Sequence, residues 1–299
     1  MSGFKASTDC SPFSATNSAL DSFTVLKRLE KGGTSIVKLV QNPSTKDLYA
    51  AKILKNSSRS YSQNLLLFEK EVNFLRKLSH SKIVKLLDYK TNGTYTKKNN
   101  KGQYFCTYIL MEYCPNKDML DFVMTQRALP ESQARGYFCQ IIEALEECSR
   151  SGICHGDLKL ENVMLDEKYN AKLIDFGFSK DTSKGELAEF NGTDCYMAPE
   201  IRARKKYNGT KADVFSAGVA LFIMYIGAPP FARASPNDSL YKLLLFNRER
   251  FWEVQQKNSP DKTITKEFRS LIEKLLSFNP GSRPDWSAIK DDEWCRQDL

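Results

Sequence analysis

The segment Ile153-Cys-His-Gly-Asp-Leu-Lys-Leu-Glu-Asn162 governs the interpretation of this sequence, together with Ile174-Asp-Phe-Gly177 shortly after it. The two segments supply two carboxylates, one ammonium group and one side-chain amide. In chain order, these groups belong to Asp157, Lys159, Asn162 and Asp175. Apolar runs at 163–165 and 171–174 flank the interval between the segments and predict two short strands. The polar groups are therefore expected in loops that strands hold in place.

Phosphoryl transfer from ATP needs groups of these kinds. One carboxylate accepts the proton of the attacking hydroxyl, while a second carboxylate and an amide hold Mg²⁺. A cation meets the migrating negative charge. A polar loop between two strands, without any reaction, would contain some of the same residues. The presence of both segments in this order favours an active centre.

The segment Asp157–Asn162, followed by Asp175-Phe-Gly177, resembles the catalytic loop and the metal-binding loop of eukaryotic protein kinases. The segment Gly192-Thr-Asp-Cys-Tyr-Met-Ala-Pro-Glu200 resembles the end of their activation segment. Lys159, together with the start of that segment, matches the serine/threonine type. The resemblance extends over residues 23–294. It implies transfer of the γ-phosphate of ATP to Ser or Thr of protein substrates.

The resemblance implies a role for each polar group in the two loops. Asp157 would accept the proton of the substrate hydroxyl, and Lys159 would neutralise charge on the γ-phosphate. Asn162 and Asp175 would coordinate Mg²⁺. These four residues form the implied catalytic and metal-binding set.

Further positions implied to bind ATP lie mostly before the catalytic loop. Lys52 matches the strand lysine that holds the α- and β-phosphates, and Glu71 matches the helix carboxylate that orients it. That helix is predicted over 65–78. An exposed strand lysine is the alternative interpretation of Lys52 by itself. The remaining positions that the resemblance assigns to the nucleotide are Leu29, Gly32, Val37, Ala50, Met111, Glu112, Cys114, Asp118 and Met164.

The run 104–115 predicts a strand that leads into an extended connector, which the resemblance identifies as the hinge. Met111 would lie behind the adenine, and the backbone of Glu112 and Cys114 would form hydrogen bonds with it. Asp118 would lie near the ribose. An edge strand leading into a helix would fit the same residues, and only their place in the series of motifs favours the hinge.

The expected fold class is α+β, with the bilobal architecture of protein kinases. Residues 1–22 are predicted to form a flexible tail, and residues 23–294 the kinase domain. Its N-lobe, 23–111, would contain a small antiparallel sheet and one helix. A hinge at 112–116 would lead into a larger, mainly helical C-lobe at 117–294.

The glycine turn between the first two predicted strands meets the family pattern only in part. Gly32 and Val37 match the pattern, whereas Glu30 and Ser35 stand where the family has glycine. Backbone N–H groups of such a turn can approach phosphates, but an ordinary hairpin fits the turn equally well. Glu30 either places a carboxylate near the phosphates or points to solvent.

Three further positions bear on the organisation of the chain. Asp213 is predicted to cap the start of an apolar core helix, and it matches the family residue that anchors the catalytic loop. Arg283 matches the partner of Glu200 in a buried ion pair. Residues 91–103 are polar and basic, and they are predicted to form a mobile hairpin insertion.

Two departures from the family pattern concern regulation. Gly156 stands where most members carry an arginine that pairs with a phosphate on the activation segment. Glu189 stands at the usual phosphorylated position and cannot be phosphorylated. Since the cation and the phosphate are lost together, we expect activity without phosphorylation at this site. An exposed carboxylate without a role is the alternative for Glu189.

Composition indicates an ordinary globular protein of 299 residues, with 41% hydrophobic and 27% charged residues. No apolar run approaches the roughly 20 residues of a membrane span. The net charge of +8 is dispersed, so we expect solvated surfaces rather than nucleic-acid binding. Eight cysteines at irregular spacings and two histidines disfavour a zinc site or a disulfide framework. We expect a monomer that does not bind membranes. Because the N-terminus lacks the apolar core of a signal peptide, we expect the protein in the cytoplasm, with the nucleus also possible.

Two other functions compete with the active protein kinase. A pseudokinase scaffold would keep the fold without catalysis, with or without ATP binding, and Glu30, Ser35 and Gly156 favour it. A small-molecule kinase would lack the protein-substrate segment that ends at Glu200. For substrates, Glu161 and Asp118 are acidic where basophilic members hold arginine, which predicts a modest preference for basic sites.

Overall fold

The structure, a computed structural model, describes residues 18–55, 61–97 and 102–297. These residues form two compact units. The first contains the described residues up to Val72 together with Lys85–Tyr113. The second contains Asn73–Val84 and the chain from Cys114 onward. The first unit is built on β-strands and the second mainly on helices.

The first unit is an antiparallel barrel of six strands in the order β1-β2-β3-β4-β6-β5. In chain order the strands are β1 (Ser18–Leu20), β2 (Phe23–Lys31), β3 (Ser35–Gln41), β4 (Leu48–Leu54), β5 (Leu86–Thr96) and β6 (Gln103–Glu112). Alternate residues of each strand face the interior. The core includes the fully buried side chains of Leu20, Val40 and Tyr108.

Strand β1 corrects the prediction that residues 1–22 form a flexible tail. Leu20 pairs with Phe23 of β2 and Tyr95 of β5, and this double pairing closes the barrel. Asp21 then accepts hydrogen bonds from the Thr94 backbone N–H at 2.6 Å and the Tyr108 hydroxyl at 2.7 Å. Three residues carry no periodicity of their own, so sequence could not indicate this strand. The earlier part of the predicted tail lies outside the described residues.

The predicted hairpin at 91–103 is confirmed, and its mobility stays a prediction. The β5–β6 ladder continues as far as the pair Thr96 and Gln103, so most of the insertion is paired strand. Tyr95 is buried and stacks on Tyr104 with ring centroids 5.3 Å apart. The tip of the hairpin, residues 98–101, lies outside the described residues.

Helix α1 (Tyr61–Lys77) confirms the helix predicted over 65–78 and begins one turn earlier. Phe68 and Val72 are buried on its inner face, where they join Ile109 of β6 in one apolar cluster. Positions four apart lie on the same helix face, so the period of the sequence indicated this element correctly. Glu71, three residues after Phe68, lies on the same face of the helix.

The second unit contains the remaining elements. Its strands are β7 (Asn116–Asp118), β8 (Ile153–Cys154), β9 (Val163–Leu165), β10 (Ala171–Leu173) and β11 (Lys180–Asp181). Its helices are α2 (Met119–Gln126), α3 (Glu131–Arg150), α4 (Pro199–Arg202), α5 (Gly209–Ile226), α6 (Ser239–Phe246), α7 (Arg248–Asn258), α8 (Lys266–Leu275), α9 (Trp286–Lys290) and α10 (Glu293–Arg296). The small strands surround the segments that the sequence marked as catalytic.

Helix α5 forms the centre of the second unit. Among the described residues it is the one helix with the length and mean hydropathy, 1.3, that a membrane span requires, and 83% of it is buried inside the protein. The prediction that Asp213 caps this helix is wrong. The helix begins at Gly209, and the Asn208 side chain accepts the capping hydrogen bond from the Lys211 N–H. Asp213 therefore lies inside the helix, where its side chain is available for another contact.

The predicted ion pair between Glu200 and Arg283 is confirmed. Two guanidinium nitrogens donate to the two carboxylate oxygens at 2.7 and 2.8 Å. The Arg283 side chain is fully buried, and it also donates to the carbonyls of Ser277 and Lys211. Its guanidinium lies 5.0 Å from the centre of the Phe215 ring. The pair joins the end of the activation segment to the turn before α9.

We expect Arg283→Met to lower the free energy of unfolding by about 3–5 kcal/mol, since Glu200 would be left as a buried charge without its partner. Chemical denaturation monitored by circular dichroism measures the change. Arg250→Met is the matched control, because Arg250 pairs with Glu253 on the exposed face of α7. Exposed pairs contribute about 0–1 kcal/mol. Equal losses in the two variants would contradict the role of the buried pair.

Candidate active site

The catalytic loop runs from β8 to β9 and is anchored by Asp213 of α5. The Asp213 carboxylate accepts backbone hydrogen bonds from His155 at 2.7 Å and from Gly156 at 3.0 Å. Its side chain is buried, and burial raises its pKa above the ordinary value for an aspartate. Two backbone donors on one buried carboxylate fix the start of the loop and satisfy groups that would otherwise be costly to bury.

Asp157 lies at the centre of a compact polar cluster. One carboxylate oxygen accepts a hydrogen bond from the Thr193 hydroxyl at 3.0 Å. The other lies 3.0 Å from the ammonium nitrogen of Lys159. The Asn162 amide donates to the Asp157 backbone carbonyl at 2.8 Å. Only 6% of Asp157 is exposed, so these contacts set the direction of its side chain.

Lys159 contacts both Asp157 and Thr193, with its ammonium 3.2 Å from the Thr193 hydroxyl oxygen. Burial opposes the charged form of Lys159, but the hydrogen bond and the charge of Asp157 outweigh it, and the net effect raises the pKa of the lysine. The side chain is therefore cationic at neutral pH. A positive charge is held next to the carboxylate that the sequence identifies as the proton acceptor.

The metal-binding loop follows β10, and its conformation brings Asp175 into a rare backbone region. Asp175 has φ +60°, in the left-handed region, which is uncommon for residues other than glycine and frequent at functional sites. The neighbouring Ile174 carbonyl lies 2.9 Å from a ring nitrogen of His155. The His155 ring also packs edge-on against Phe176, with centroids 5.1 Å apart. The catalytic loop and the metal-binding loop are thus joined through one histidine.

The chemistry of Asn162 and Asp175 fits Mg²⁺. Magnesium prefers oxygen ligands and is commonly held by one or two carboxylates together with substrate phosphates. The Asn162 amide nitrogen is oriented toward Asp157, so the amide oxygen points away from it. Among the described residues no group of three His, Cys, Asp or Glu side chains forms an all-protein metal cage. A site completed by phosphate oxygens suits these two ligands.

Within the first unit, Lys52 of β4 and Glu71 of α1 form the pair that the sequence predicts. The ammonium nitrogen lies 2.7 Å from each carboxylate oxygen. Glu71 is 3% exposed, and the Phe68 ring lies 6.0 Å from the lysine nitrogen. The alternative of an exposed strand lysine is therefore wrong, because a buried carboxylate fixes the position of the ammonium group.

The strand register assembles further predicted nucleotide-binding residues around Lys52. Val37 of β3 pairs with Lys52, and Ala50 of β4 pairs with Met111 of β6. Paired residues, and residues two apart on one strand, lie on the same face of a sheet. These four side chains therefore share one face. All four are partly exposed, so this face presents a cation beside three apolar side chains.

The glycine turn between β2 and β3 is held by Lys55, which follows β4. The Lys55 backbone donates to Thr34 at 2.9 Å, and its ammonium group donates to the carbonyls of Gly32 and Gly33. Ser35 is buried at the start of β3. The turn is thus fixed by a lysine from outside the glycine motif.

Two exposed positions complete the account of β2. Glu30 is exposed, which supports the solvent alternative for its carboxylate. Leu29 is 37% exposed.

The remaining predicted nucleotide-binding residues lie at the end of β6 and beyond. Glu112 donates its backbone N–H to the Lys85 carbonyl at 3.1 Å and accepts the Lys85 N–H on its side chain. Cys114 is buried. Asp118 caps α2 by accepting the Asp121 N–H at 2.8 Å, and it pairs with Met164 of β9. The structure therefore gives Asp118 a structural role that the sequence analysis did not include.

The activation segment contains a carboxylate–ammonium pair. Glu189 lies 3.0 Å from the ammonium nitrogen of Lys180, whose side chain is 15% exposed. The hydrogen bond from Lys180 lowers the pKa of Glu189 below its ordinary value. Strand β11, which carries Lys180, pairs directly with Cys154 just before the catalytic loop. Glu189 therefore has an ion-pair partner, while 49% of its side chain is exposed.

Gly156 fills a position that no side chain could occupy. Its φ is +77°, and a Cβ atom there would lie 2.7 Å from the Phe178 carbonyl oxygen. An arginine at this position, as in most family members, would displace the backbone at the start of the activation segment. The glycine is thus part of how the catalytic loop and the following segment approach each other.

Comparison with known proteins agrees with this geometry. The family model described as "Protein kinase domain" matches residues 23–295. The chain belongs to the protein kinase family. Its β-rich first unit and helical second unit confirm the predicted α+β, bilobal class of fold. The serine/threonine type is confirmed by the curated relatives of the kinase domain.

Three relatives illustrate the similarity. The "Carbon catabolite-derepressing protein kinase" of Candida tropicalis is 31% identical over 280 residues, which are 93% of this chain and 41% of the relative. "Serine/threonine-protein kinase SIK1" of Mus musculus is 32% identical over 92% of this chain and 33% of its own length. "Serine/threonine-protein kinase SAPK2" of Oryza sativa subsp. indica is 30% identical over 94% of this chain and 78% of its own length. The chain thus spans less than half of the first two relatives.

Sequence reasoning missed three contacts of this kinase domain. It used Thr193 only as a marker of type, whereas the hydroxyl contacts both Asp157 and Lys159. It gave no role to Lys180 or Lys55. Each contact joins segments that local spacing does not connect, so periodicity carries no signal for them. A search for a cation to match Glu189 could have suggested Lys180, among several other lysines.

We expect Gly156→Ala to destabilise the kinase domain more than Gly185→Ala does. Both glycines have positive φ, at +77° and +93°, but a Cβ at Gly185 would meet nothing within 4 Å. The left-handed conformation costs alanine about 1–2 kcal/mol at either site. Overlap with Phe178 should add about 1–3 kcal/mol at Gly156 alone. Thermal denaturation measures the difference, and equal melting temperatures would contradict the close approach.

Proposed function

We propose that the protein transfers the γ-phosphate of ATP to Ser or Thr residues of protein substrates in a Mg²⁺-dependent reaction. The observation that carries this proposal is the cluster of Asp157, Lys159 and Thr193, with each pair in hydrogen-bond or ion-pair contact. A carboxylate next to a fixed cation is suited to a reaction in which a proton leaves a hydroxyl while negative charge moves.

The roles of the residues follow from their contacts. Asp157 accepts the proton of the substrate hydroxyl, and Thr193 orients one of its two oxygens. Lys159 holds positive charge where the phosphoryl group arrives. Lys52, aligned by Glu71, binds the α- and β-phosphates. Mg²⁺, held by Asn162 and Asp175 when bound, supplies neutralisation of phosphate charge.

A pseudokinase scaffold is the other candidate function, and the pattern of retained residues speaks against it. The six polar groups of the reaction are all present, namely Lys52, Glu71, Asp157, Lys159, Asn162 and Asp175. Moreover, the ion pairs Lys52–Glu71 and Asp157–Lys159 have direct contact distances. The exposed position of Glu30 weakens the argument that its carboxylate repels nucleotide.

We expect Asp157→Asn and Lys52→Met each to lower the rate of phosphate transfer by about 10²–10⁴-fold, the usual contribution of a general base or its equivalent. Labelled γ-phosphate and basic Ser peptides provide the assay. Lys257→Met, at an exposed position of α7, serves as the control and should keep full activity. Nucleotide binding without transfer in the wild-type protein would favour the scaffold, and transfer unaffected by Asp157→Asn would overturn the assignment.

We further propose that activity does not depend on phosphorylation of the activation segment. The Lys180–Glu189 pair supports this, because a carboxylate already supplies the negative charge that a phosphate supplies elsewhere. Gly156 supports it as well, since the arginine that would meet such a phosphate is absent. Lys180 of this pair lies on β11, which pairs with β8 directly before the catalytic loop. The ion pair is therefore connected to the catalytic loop through the backbone.

We expect Glu189→Gln and Lys180→Met each to lower activity by about twofold to fivefold, since exposed pairs contribute about 0.2–1 kcal/mol. The double variant should be no less active than the single variants, because both remove the same interaction. Glu186→Gln is the control on an exposed neighbouring carboxylate. The hydrogen bond from Lys180 lowers the pKa of Glu189. The contribution of the ion pair to activity should therefore be complete above the ordinary pKa of a glutamate, and it should be lost as the pH falls through the lowered pKa of Glu189.

The contradicting outcome concerns modification. Mass spectrometry of active wild-type protein from bacteria should find residues 182–189 unmodified. Activity that appears only after phosphorylation of residues 182–189 would contradict the proposal, even if the Glu189 variants gave the expected activities.

The substrate proposal is a modest preference for basic residues before the target Ser or Thr. Glu161 supports it, since one of its carboxylate oxygens is buried without a hydrogen-bond partner in the described structure. Asp118 supports it less, because one of its oxygens is used in capping α2. A monomer that binds neither nucleic acid nor membrane, in the cytoplasm or nucleus, remains our prediction from composition.

A further inference from the structure

An open groove of about 760 Å³ lies on the second unit, along helices α7 and α8. None of its lining residues belongs to the catalytic loop, the metal-binding loop or the activation segment. Its cationic residues are Arg248, Lys266, Arg269 and Lys274, its acidic residues are Glu249 and Glu273, and its hydroxyl groups come from Ser270, Ser277 and Ser282. The groove therefore has a positive balance and several hydrogen-bond donors.

Part of this charge is already neutralised. Both oxygens of Glu273 are used, one by Arg248 at 3.1 Å and the other by the Trp252 indole N–H at 2.8 Å. Lys274 pairs with Asp292 at 2.7 Å. These contacts form part of the groove wall, and they leave neither oxygen of Glu273 without a partner.

Two cations of the groove behave differently. Neither Lys266 nor Arg269 has an ion-pair partner in the part of the chain that the structure describes. The Arg269 Nε atom is buried there without a hydrogen-bond partner. A buried donor without a partner is unusual in proteins and points to a missing acceptor. An anionic ligand would supply both an acceptor for Arg269 and a negative charge for the two cations.

The placement of Arg269 suits a tetrahedral anion. Its guanidinium lies 5.7 Å from the centre of the Trp252 ring, and Trp252 is itself buried. The ring supports the guanidinium group, and a guanidinium can bind phosphate through two parallel N–H groups. Lys266 and Ser270 lie three positions before and one after Arg269, in the first turns of α8. Lys266 lies three positions before Arg269 and four before Ser270, and residues three or four apart neighbour one another on a helix. The positive end of the helix dipole adds to the attraction.

We propose that this groove binds a phosphorylated Ser or Thr segment of a partner protein, with the phosphate between Lys266 and Arg269. The volume suits a short peptide rather than an ion alone. Two exposed aromatic residues, Phe246 and Phe278, flank the lining segments in sequence and are 76% and 56% exposed. They offer apolar contacts to the residues around a phosphate. The carboxylate of Glu249 in the lining disfavours a long polyanion such as a nucleic acid, because like charges repel. Binding in the groove does not depend on the catalytic activity proposed above.

The test uses two immobilised peptide libraries that differ only in a fixed phosphoserine or a fixed serine at the centre. The full chain should bind the phosphoserine library preferentially, by about tenfold or more, because hydrogen bonds to charged groups are the strong ones. Lys266→Met/Arg269→Leu should abolish the preference. Lys257→Met/Arg250→Leu removes two cations from exposed positions outside the groove lining and should keep it.

Two further measurements keep the test decisive. If the double variant unfolds, Lys266→Glu alone, at an exposed position, should still reverse the preference for phosphoserine. Arg269→Lys keeps the charge without the planar fork and should weaken phosphoserine binding while leaving melting temperature unchanged. Equal binding of both libraries, or binding that the groove variants do not alter, would overturn the proposal. Competition by duplex DNA as effective as that by phosphopeptide would also overturn it, since charge alone would then explain the binding.

Discussion

The geometry of the second unit depends on one buried carboxylate. Asp213 lies inside the core helix α5, and it holds the backbone N–H groups of His155 and Gly156. A buried acceptor has few alternative partners, so the start of the catalytic loop can take only one position relative to the core. The direction of Asp157, two residues later, follows from this anchor. The loop that carries Asp157 is thereby attached to the buried core helix of the unit.

A second constraint holds the activation segment against the same helix. The Glu200–Arg283 pair fixes its end, and Ser216 of α5 donates to the Tyr196 carbonyl at 2.9 Å. The Tyr196 hydroxyl accepts the Leu160 N–H of the catalytic loop at 3.3 Å. Thr193, three residues before Tyr196, donates to Asp157. The segment is therefore part of the geometry around Asp157.

The unusual residues of this chain are consistent with one another. Gly156 allows the Phe178 backbone to come close, and residue 189 is a glutamate, which cannot be phosphorylated. The ammonium group of Lys180, on the strand beside the catalytic loop, takes the Glu189 carboxylate instead. In the function proposed above, this pair of encoded charges takes the place of a phosphate and its arginine.

The sequence by itself determined the family, the catalytic groups and most elements, because short motifs and apolar periodicity are local properties. The Lys52–Glu71 and Glu200–Arg283 pairs could be predicted only through resemblance, as each joins distant segments. Only the tertiary structure decided the role of β1, the cap of α5, the partner of Glu189 and the unmet donor of Arg269. Three residues of β1 gain stability from pairing on both edges, and Asp213 lost its predicted capping role because the helix began one turn earlier. Contacts of this kind depend on which surfaces meet after folding, and no pattern within a short stretch of chain encodes that.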